Sequence, residues 1–303
     1  MQAGSYPELR RARGYRLYTR SGQRLLDLYQ DDGRAFLGHD PKGVSRAMKA
    51  EMDRGLHAPS PSPCLRRLNR ELTALWQQGL SSRTESGSAS LLADPGRDWL
   101  VFSSRERYRQ AVGEQSCVLW RPGLGLLNVG AFDPGAFGPG TPGTPEPGSA
   151  SPDPAAVIEL RLPLPGAHGL VVAGFPAGSP SGAGQLAGEL SGQCSPVQLA
   201  GLHRVVNLLR TDPRVWDGRI SCDTLESAWR GLSTPLFLRH GAYLQPQLQD
   251  APYLTLHQAM LERGFFLNPS AHGLSIIPGE CTAGEFAGFA RACKELKECA
   301  DVS

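Results

Sequence analysis

The sequence predicts an α/β protein, and two observations carry the prediction. Short apolar runs of strand length, Trp99–Phe102, Ala155–Leu162 and Gly169–Ala173, are flanked by longer segments whose apolar residues recur at three- and four-residue spacing, 43–54 and 65–78 before them and 196–210 after. The last two runs are the kind buried on both faces and are expected to be neighbours in a mostly parallel sheet covered by helices. A chain of 303 residues is long enough for one large domain or two unequal ones.

Taken in order, 43–54 carries Val44, Ala47, Met48 and Met52 on one helical face, with Gly55 as its stop. Ala58 to Pro63 alternates with proline and cannot be helical throughout. A second amphipathic helix follows, with Leu65, Leu68, Leu72, Leu75 and Trp76 as its apolar face. Trp99–Phe102 reads as a buried strand. Ser103-Ser104-Arg105-Glu106 directly after it opens a helix through Tyr108 and Ala111. Two Pro/Gly-rich tracts, 123–154 and 175–195, are expected to be loops, because that composition supports neither helix nor central strand. Between them lie the second and third strands. The helix 196–210 then buries Leu199, Leu202, Val205, Val206 and Leu209.

The two ends carry a more specific pattern. The first reads Gly14-x-x-Leu17, then Gly22, then Leu26-Asp27-Leu28, followed by Leu37-Gly38-His39-Asp40-Pro41 and Val44-x-x-Ala47. The second runs through Ala259-Met-Leu-Glu-Arg-Gly264, Asn268-Pro269, Leu274–Ile277 and Thr282-Ala-Gly-Glu285, the last a capping box for the terminal helix. This arrangement resembles fold-type I pyridoxal-phosphate enzymes, nearest to class III aminotransferases and glutamate semialdehyde aminomutase. The resemblance implies a three-layer α/β/α large domain over 61–240 and a small α+β domain formed by both termini, 1–60 and 241–303. An N-terminal hairpin without a core of its own must pack elsewhere, so residues 14–30 are expected against 265–280. The resemblance also implies a homodimer, with the segment around Gly38 and His39 reaching the partner.

The family holds its cofactor through a lysine late in the large domain, because only a primary amine forms the exchangeable imine. Here the lysines are Lys42, Lys49, Lys294 and Lys297, and none falls between Glu51 and Cys293. The ordinary covalent link is therefore not expected, and any pyridoxal phosphate would be held non-covalently. Ser103 and Ser104 match the family's phosphate-binding turn at a helix N-terminus; the same Ser-x-x-Glu is also an ordinary cap. Asp223 falls where the family places the partner of the pyridinium nitrogen, and an aspartate there equally serves as a strand-end or cap residue. His240 lies near the position of the missing lysine, as a proton-transfer base or simply a polar residue. Three functions stay open: an active aminotransferase or aminomutase, a pseudoenzyme that keeps a binding or scaffold role, and an enzyme of altered chemistry using His240.

Composition removes other classes. Net charge is +2, with acids scattered among the arginines, so no nucleic-acid partner is expected. The binding role that the resemblance leaves open is for a small anionic ligand or for a partner protein. No apolar run is long enough to span a membrane and the opening residues have no apolar core, so a cytoplasmic protein is expected. Seven cysteines without a C-x-x-C pair read as reduced thiols, with no zinc or disulfide framework. Gly-x-Gly-x-x-Gly, Walker and Gly-x-Ser-x-Gly motifs are absent.

Overall fold

A computed structural model describes residues 6–56, 58–59, 62–84, 96–113, 115, 117–122, 125–129, 156–164, 170–178, 194–212, 236–240, 242–248 and 250–300. The chain divides into two compact units, one made of Met1–Asp40, Gly135–Pro142 and Gly218–Ser303, the other of Pro41–Pro134 and Gly143–Asp217.

The first unit joins both termini. Strands β1 (Leu9–Arg13), β2 (Arg16–Thr19) and β3 (Arg24–Asp27) form an antiparallel meander. Its turns need Gly14 and Gly22, at φ of +55° and +89°, a region that a side chain disfavours. In the second unit, helices α1 (Val44–Met52) and α2 (Pro63–Thr84), strand β4 (Arg97–Phe102), helix α3 (Arg105–Val112), strands β5 (Cys117–Arg121), β6 (Gly125–Val129), β7 (Val157–Leu160) and β8 (Val171–Pro176), and helix α4 (Pro196–Thr211) follow in order. The chain then returns to the first unit with β9 (Phe237–His240), β10 (Tyr243–Pro246), helix α5 (Asp250–Glu262), β11 (Phe265–Phe266), β12 (Ser275–Ile276) and helix α6 (Ala283–Ala300).

β11 pairs in parallel with β3, completing a sheet ordered β1-β2-β3-β11, while β12-β10-β9 forms a second, antiparallel sheet. The N-terminal segment is stitched to the C-terminal one as expected: Leu28 O accepts from Ile276 N at 2.6 Å, and Gln30 Nε2 donates to Ile276 O at 3.1 Å. Leu26 and Leu28 enter one core with Tyr253, Leu267, Phe286 and Phe289. The capping box also forms, with Glu285 N donating to Thr282 Oγ1 and Thr282 N to Glu285 Oε2.

The second unit is layered. Its sheet runs β4-β8-β7-β5-β6. Leu100, Phe102, Val157, Val171, Ala173 and Phe175 form one face, under Tyr108 and Val112 of α3. On the other face, Trp76 of α2 meets Trp99 and Trp120 with ring centroids 6.3 and 4.8 Å away. α4 packs against α1 and α2. The α/β/α layering is thus as the sequence implies.

The strand directions differ from a mostly parallel sheet. Within this sheet only the described pair β5–β7 is parallel, whereas β4–β8, β7–β8 and β5–β6 are antiparallel. Connection length explains two of these: residues 122–124 can join β5 to β6 only as a hairpin, and the span from Leu160 to Val171 is short for a crossover. β6 itself lies in the tract 123–154 expected to be loop. It forms as an edge strand, where its one glycine, Gly125, interrupts no central ladder.

Candidate functional site

β4 and β7 both run antiparallel to β8, and β7 runs parallel to β5, so β4, β5 and β7 end on the same side of the sheet. That carboxyl edge is where open α/β sheets bind ligands. Ser103 and Ser104 leave β4 there and start α3. Ser104 is the N-cap, in extended conformation, and its Oγ accepts from Arg107 N at 3.3 Å. The anticipated Ser103–Glu106 box does not form, because Glu106 Oε1 instead accepts from Gln110 Nε2 at 3.2 Å. The first N–H groups of α3 and its positive dipole end therefore face the strand termini.

Beneath this helix lies a cluster of charges that the strand pattern hides. Glu159 of β7, 2% exposed, accepts from Arg161 Nε at 2.9 Å and pairs with Arg105 of α3 at 3.8 Å. Arg121, at the end of β5, is 3% exposed. Tyr108 Oη donates to Cys117 Sγ at 3.5 Å. Burial, followed by the nearby Glu159 charge, raises the Tyr108 hydroxyl above its ordinary range, and burial pushes the Cys117 thiol up to about 11. Both shifts favour the protonated forms at neutral pH. Guanidiniums and a helix N-terminus make an anion-attracting end, with Glu159 already serving two of the arginines.

Of the residues singled out from sequence, Ser103 and Ser104 sit together at this edge. His240 ends β9 in the other unit, opposite Tyr243 of β10. Asp223 lies outside the described residues. Arg121, Glu159 and Arg161 were missed, although a signal existed: charges embedded in otherwise apolar runs, Val-Leu-Trp-Arg and Val-Ile-Glu-Leu-Arg-Leu. Among the described residues no group of three His, Cys, Asp or Glu side chains is placed to hold a metal. No described helix is long and apolar enough to cross a membrane.

A pyridoxal-type group can be tested against these residues. The α3 N-terminus and Arg105 suit its phosphate, whereas no described side chain at this edge supplies the amine for its covalent anchor. Lys42 and Lys49 are exposed, in the α1 region that packs with α2 and α4 on the sheet face opposite α3.

Comparison with solved structures bears on the fold. Glutamate-1-semialdehyde aminomutase from Pseudomonas aeruginosa PAO1 superposes with a TM-score of 0.59 at 15% identity, covering 96% of this chain and 87% of that one. A lysine-to-alanine variant of that aminomutase, in complex with PMP, matches equally well. Ornithine aminotransferase from Plasmodium yoelii gives 0.59 at 13% identity, covering 95% and 92%. An uncharacterised protein of Borreliella burgdorferi is 48% identical over 56 residues, which is 18% of this chain and 21% of that protein. Another, from Treponema pallidum, is 36% identical over 67 residues, 22% of each. The matched segment thus spans about a fifth of these curated relatives. No family model matches the chain. The fold is that of the pyridoxal-phosphate transferases.

Proposed function

We propose that this chain uses the pyridoxal-phosphate transferase fold for binding, as a pseudoenzyme that does not carry out lysine-dependent amino-group transfer. The observation that carries the reading is the absence of lysine from Glu51 to Cys293, the stretch that contains the whole sheet edge around Ser103. The ligand class is a small anion, received by the first turn of α3 with Arg105. A pyridoxal phosphate, when bound, supplies an electron-accepting ring. This chain's part is to attract its phosphate and to exclude water beneath α3 with Phe102, Tyr108 and Val112. A homodimer completes the proposal, since the segment around Gly38 and His39 is retained.

A second reading keeps catalysis with a non-covalent cofactor and His240 as base. The lysine-to-alanine aminomutase variant, which is in complex with PMP, supports the non-covalent holding of a cofactor in this reading and not the role of His240. One experiment separates the readings: titration with pyridoxal phosphate and with PMP, followed by borohydride reduction and peptide mapping. The proposal expects at most reversible binding, no stoichiometric phosphopyridoxyl-lysine and no amino-group transfer. Stoichiometric labelling of one lysine, with transfer activity lost on its mutation, overturns it. Turnover lost in His240→Ala, without lysine labelling, establishes the second reading. Light scattering checks the dimer, and a mass near the 32.6 kDa of one chain refutes it.

A further inference from the structure

The first hairpin carries a charge that the balanced total of the chain conceals. Residues 10–24 hold six arginines and no acid, in a protein of net charge +2. Three of the six have carboxylate partners: Arg20 pairs with Glu8 at 2.6 Å, and Arg16 and Arg24 share Glu285 at 2.7 and 3.7 Å. Arg10, Arg11 and Arg13 belong to β1 and are exposed, and among the described residues none of the three forms an ion pair.

β1 is the outermost strand of its sheet, so one row of its backbone groups has no neighbouring strand among those described. Its two faces differ. Arg11 and Arg13 stand opposite Tyr18 and Arg16 on the outer face, with the Arg11 guanidinium 4.2 Å from the Tyr18 ring centre. Ala12 faces inward, opposite Leu17, onto the cluster of Leu25, Leu261 and Phe266. Beside that inner face Leu9 is 44% and Tyr6 56% exposed, leaving apolar surface uncovered at the edge.

We propose that β1 is a docking edge for an extended partner segment in which acidic and apolar residues alternate. An added strand would place its acids against Arg11 and Arg13 and its apolar side chains beside Leu9 and Ala12, while its backbone takes up the open edge. A second copy of β1 does not fit, because pairing would set arginine against arginine. A nucleic acid would neutralise the arginines but leave both the apolar strip and the backbone edge unused. The bulge between Leu9 and Arg11 confines pairing to a short stretch, so binding is weak and salt-sensitive.

The test is fluorescence anisotropy on the full chain. The probe is a labelled peptide of alternating glutamate and valine, compared with a block peptide of identical composition and with a single-stranded thymidine oligonucleotide. The alternating peptide is expected to saturate below about 1 mM at low salt and to bind best. Arg11→Glu with Arg13→Glu should weaken it at least about tenfold, and a lysine–valine peptide should recover the loss. As an independent check that needs no variant, N-methylation of one alternate set of peptide bonds should abolish binding, by removing the ladder donors. Equal binding of the block peptide, tighter binding of the oligonucleotide, indifference to N-methylation, or no saturation each overturns the proposal.

Discussion

Asp27 is 1% exposed at the end of β3, and its carboxylate organises the next turn of chain. Oδ1 accepts from the backbone N–H groups of Tyr29 and Gln30 at 3.0 and 2.8 Å, and Oδ2 lies 2.6 Å from His39 Nε2. Gln30, Asp31 and Asp32 all hold positive φ, at 52°, 51° and 56°, which costs roughly 1–2 kcal/mol per residue outside glycine. The Asp27 clasp offsets that strain, together with Gln30 O accepting from Ala35 N at 2.8 Å. Asp27→Ala leaves two N–H groups without their acceptor and should destabilise by about 2–4 kcal/mol in urea unfolding. Asp27→Asn, which keeps an acceptor, should lose less than half of that; equal losses would show that the turn does not depend on the bonds. A second residue contributes to the pH dependence of stability. His257 is 1% exposed, and its Nε2 has no hydrogen-bond partner. Burial holds its pKa below the ordinary 6.5, against a raising hydrogen bond involving the Leu267 backbone. The unfolded chain therefore takes up a proton near pH 6.5 before the folded one does, and stability present above that pH is lost as the pH falls. His257→Leu should flatten the fall in denaturation midpoint between pH 7.5 and 5.5. Desolvation and the charges of Arg67 and Arg70 lower His203 in the same direction, so part of the slope remains.

At the scale of elements, α2 meets the sheet through rigid rings. Trp76 seats edge-on against Trp120, and Gly79, one turn along, lets the helix approach: a Cβ there would lie 2.7 Å from Trp120 Cζ2. Gly→Ala inside a helix ordinarily stabilises by about 0.5–1 kcal/mol. Gly79→Ala should reverse that sign and destabilise by about 1–3 kcal/mol, since the indole is held between Trp76 and Trp99 and cannot swing away. Gly284→Ala in α6, where nothing lies within 4 Å, should be neutral or stabilising, and thermal unfolding of the two variants side by side checks the contrast. These elements were unequally legible. α2 and α4 announce themselves because one buried face repeats at helical spacing, whereas the face read for α1 is only partly buried: Val44 is buried, but Met52 is 47% exposed. β6 does not, because glycine and proline mask an edge strand. Two of the antiparallel pairings, β5–β6 and β7–β8, follow from connection lengths, which an apolar run does not encode. The opening motif was legible as a pattern before its physics was: Leu26-Asp27-Leu28 and Gly38-His39 are the two halves of the Asp27 clasp, and a Cβ on Gly38 would lie 3.0 Å from the Gly14 backbone. At the sheet edge, serines after a strand pointed to Ser103 and Ser104, while Glu159 and Arg161 were lost inside a run read as apolar.

Across the whole molecule the hydrophobic cores follow the division into units. Leu26, Tyr253, Phe286 and Phe289 belong to one, and Leu100, Phe102, Tyr108 and Phe175 to the other. The first unit is stitched from distant parts of the chain, and its hairpin meets its core only after the C-terminal elements are present. Arg16 reaches Glu285 with two hydrogen bonds, of 2.8 and 2.7 Å, across 269 positions. The second unit closes on itself within residues 41–217: sheet, α3 on one face, and α1, α2 and α4 layered on the other. A unit with its own core and local connections should fold alone, whereas one that depends on sequence-distant contacts should not form from a fragment lacking either end. Residues 41–217 expressed alone are therefore expected to unfold cooperatively in urea, with the blue-shifted tryptophan emission of a buried Trp76–Trp99–Trp120 cluster. Residues 1–40 alone should give a random-coil circular dichroism spectrum, and so should 218–303 without the β3 strand that β11 pairs with. A sloping, non-cooperative transition in the 41–217 fragment, or a folded 218–303, would show that the two cores are not energetically separate.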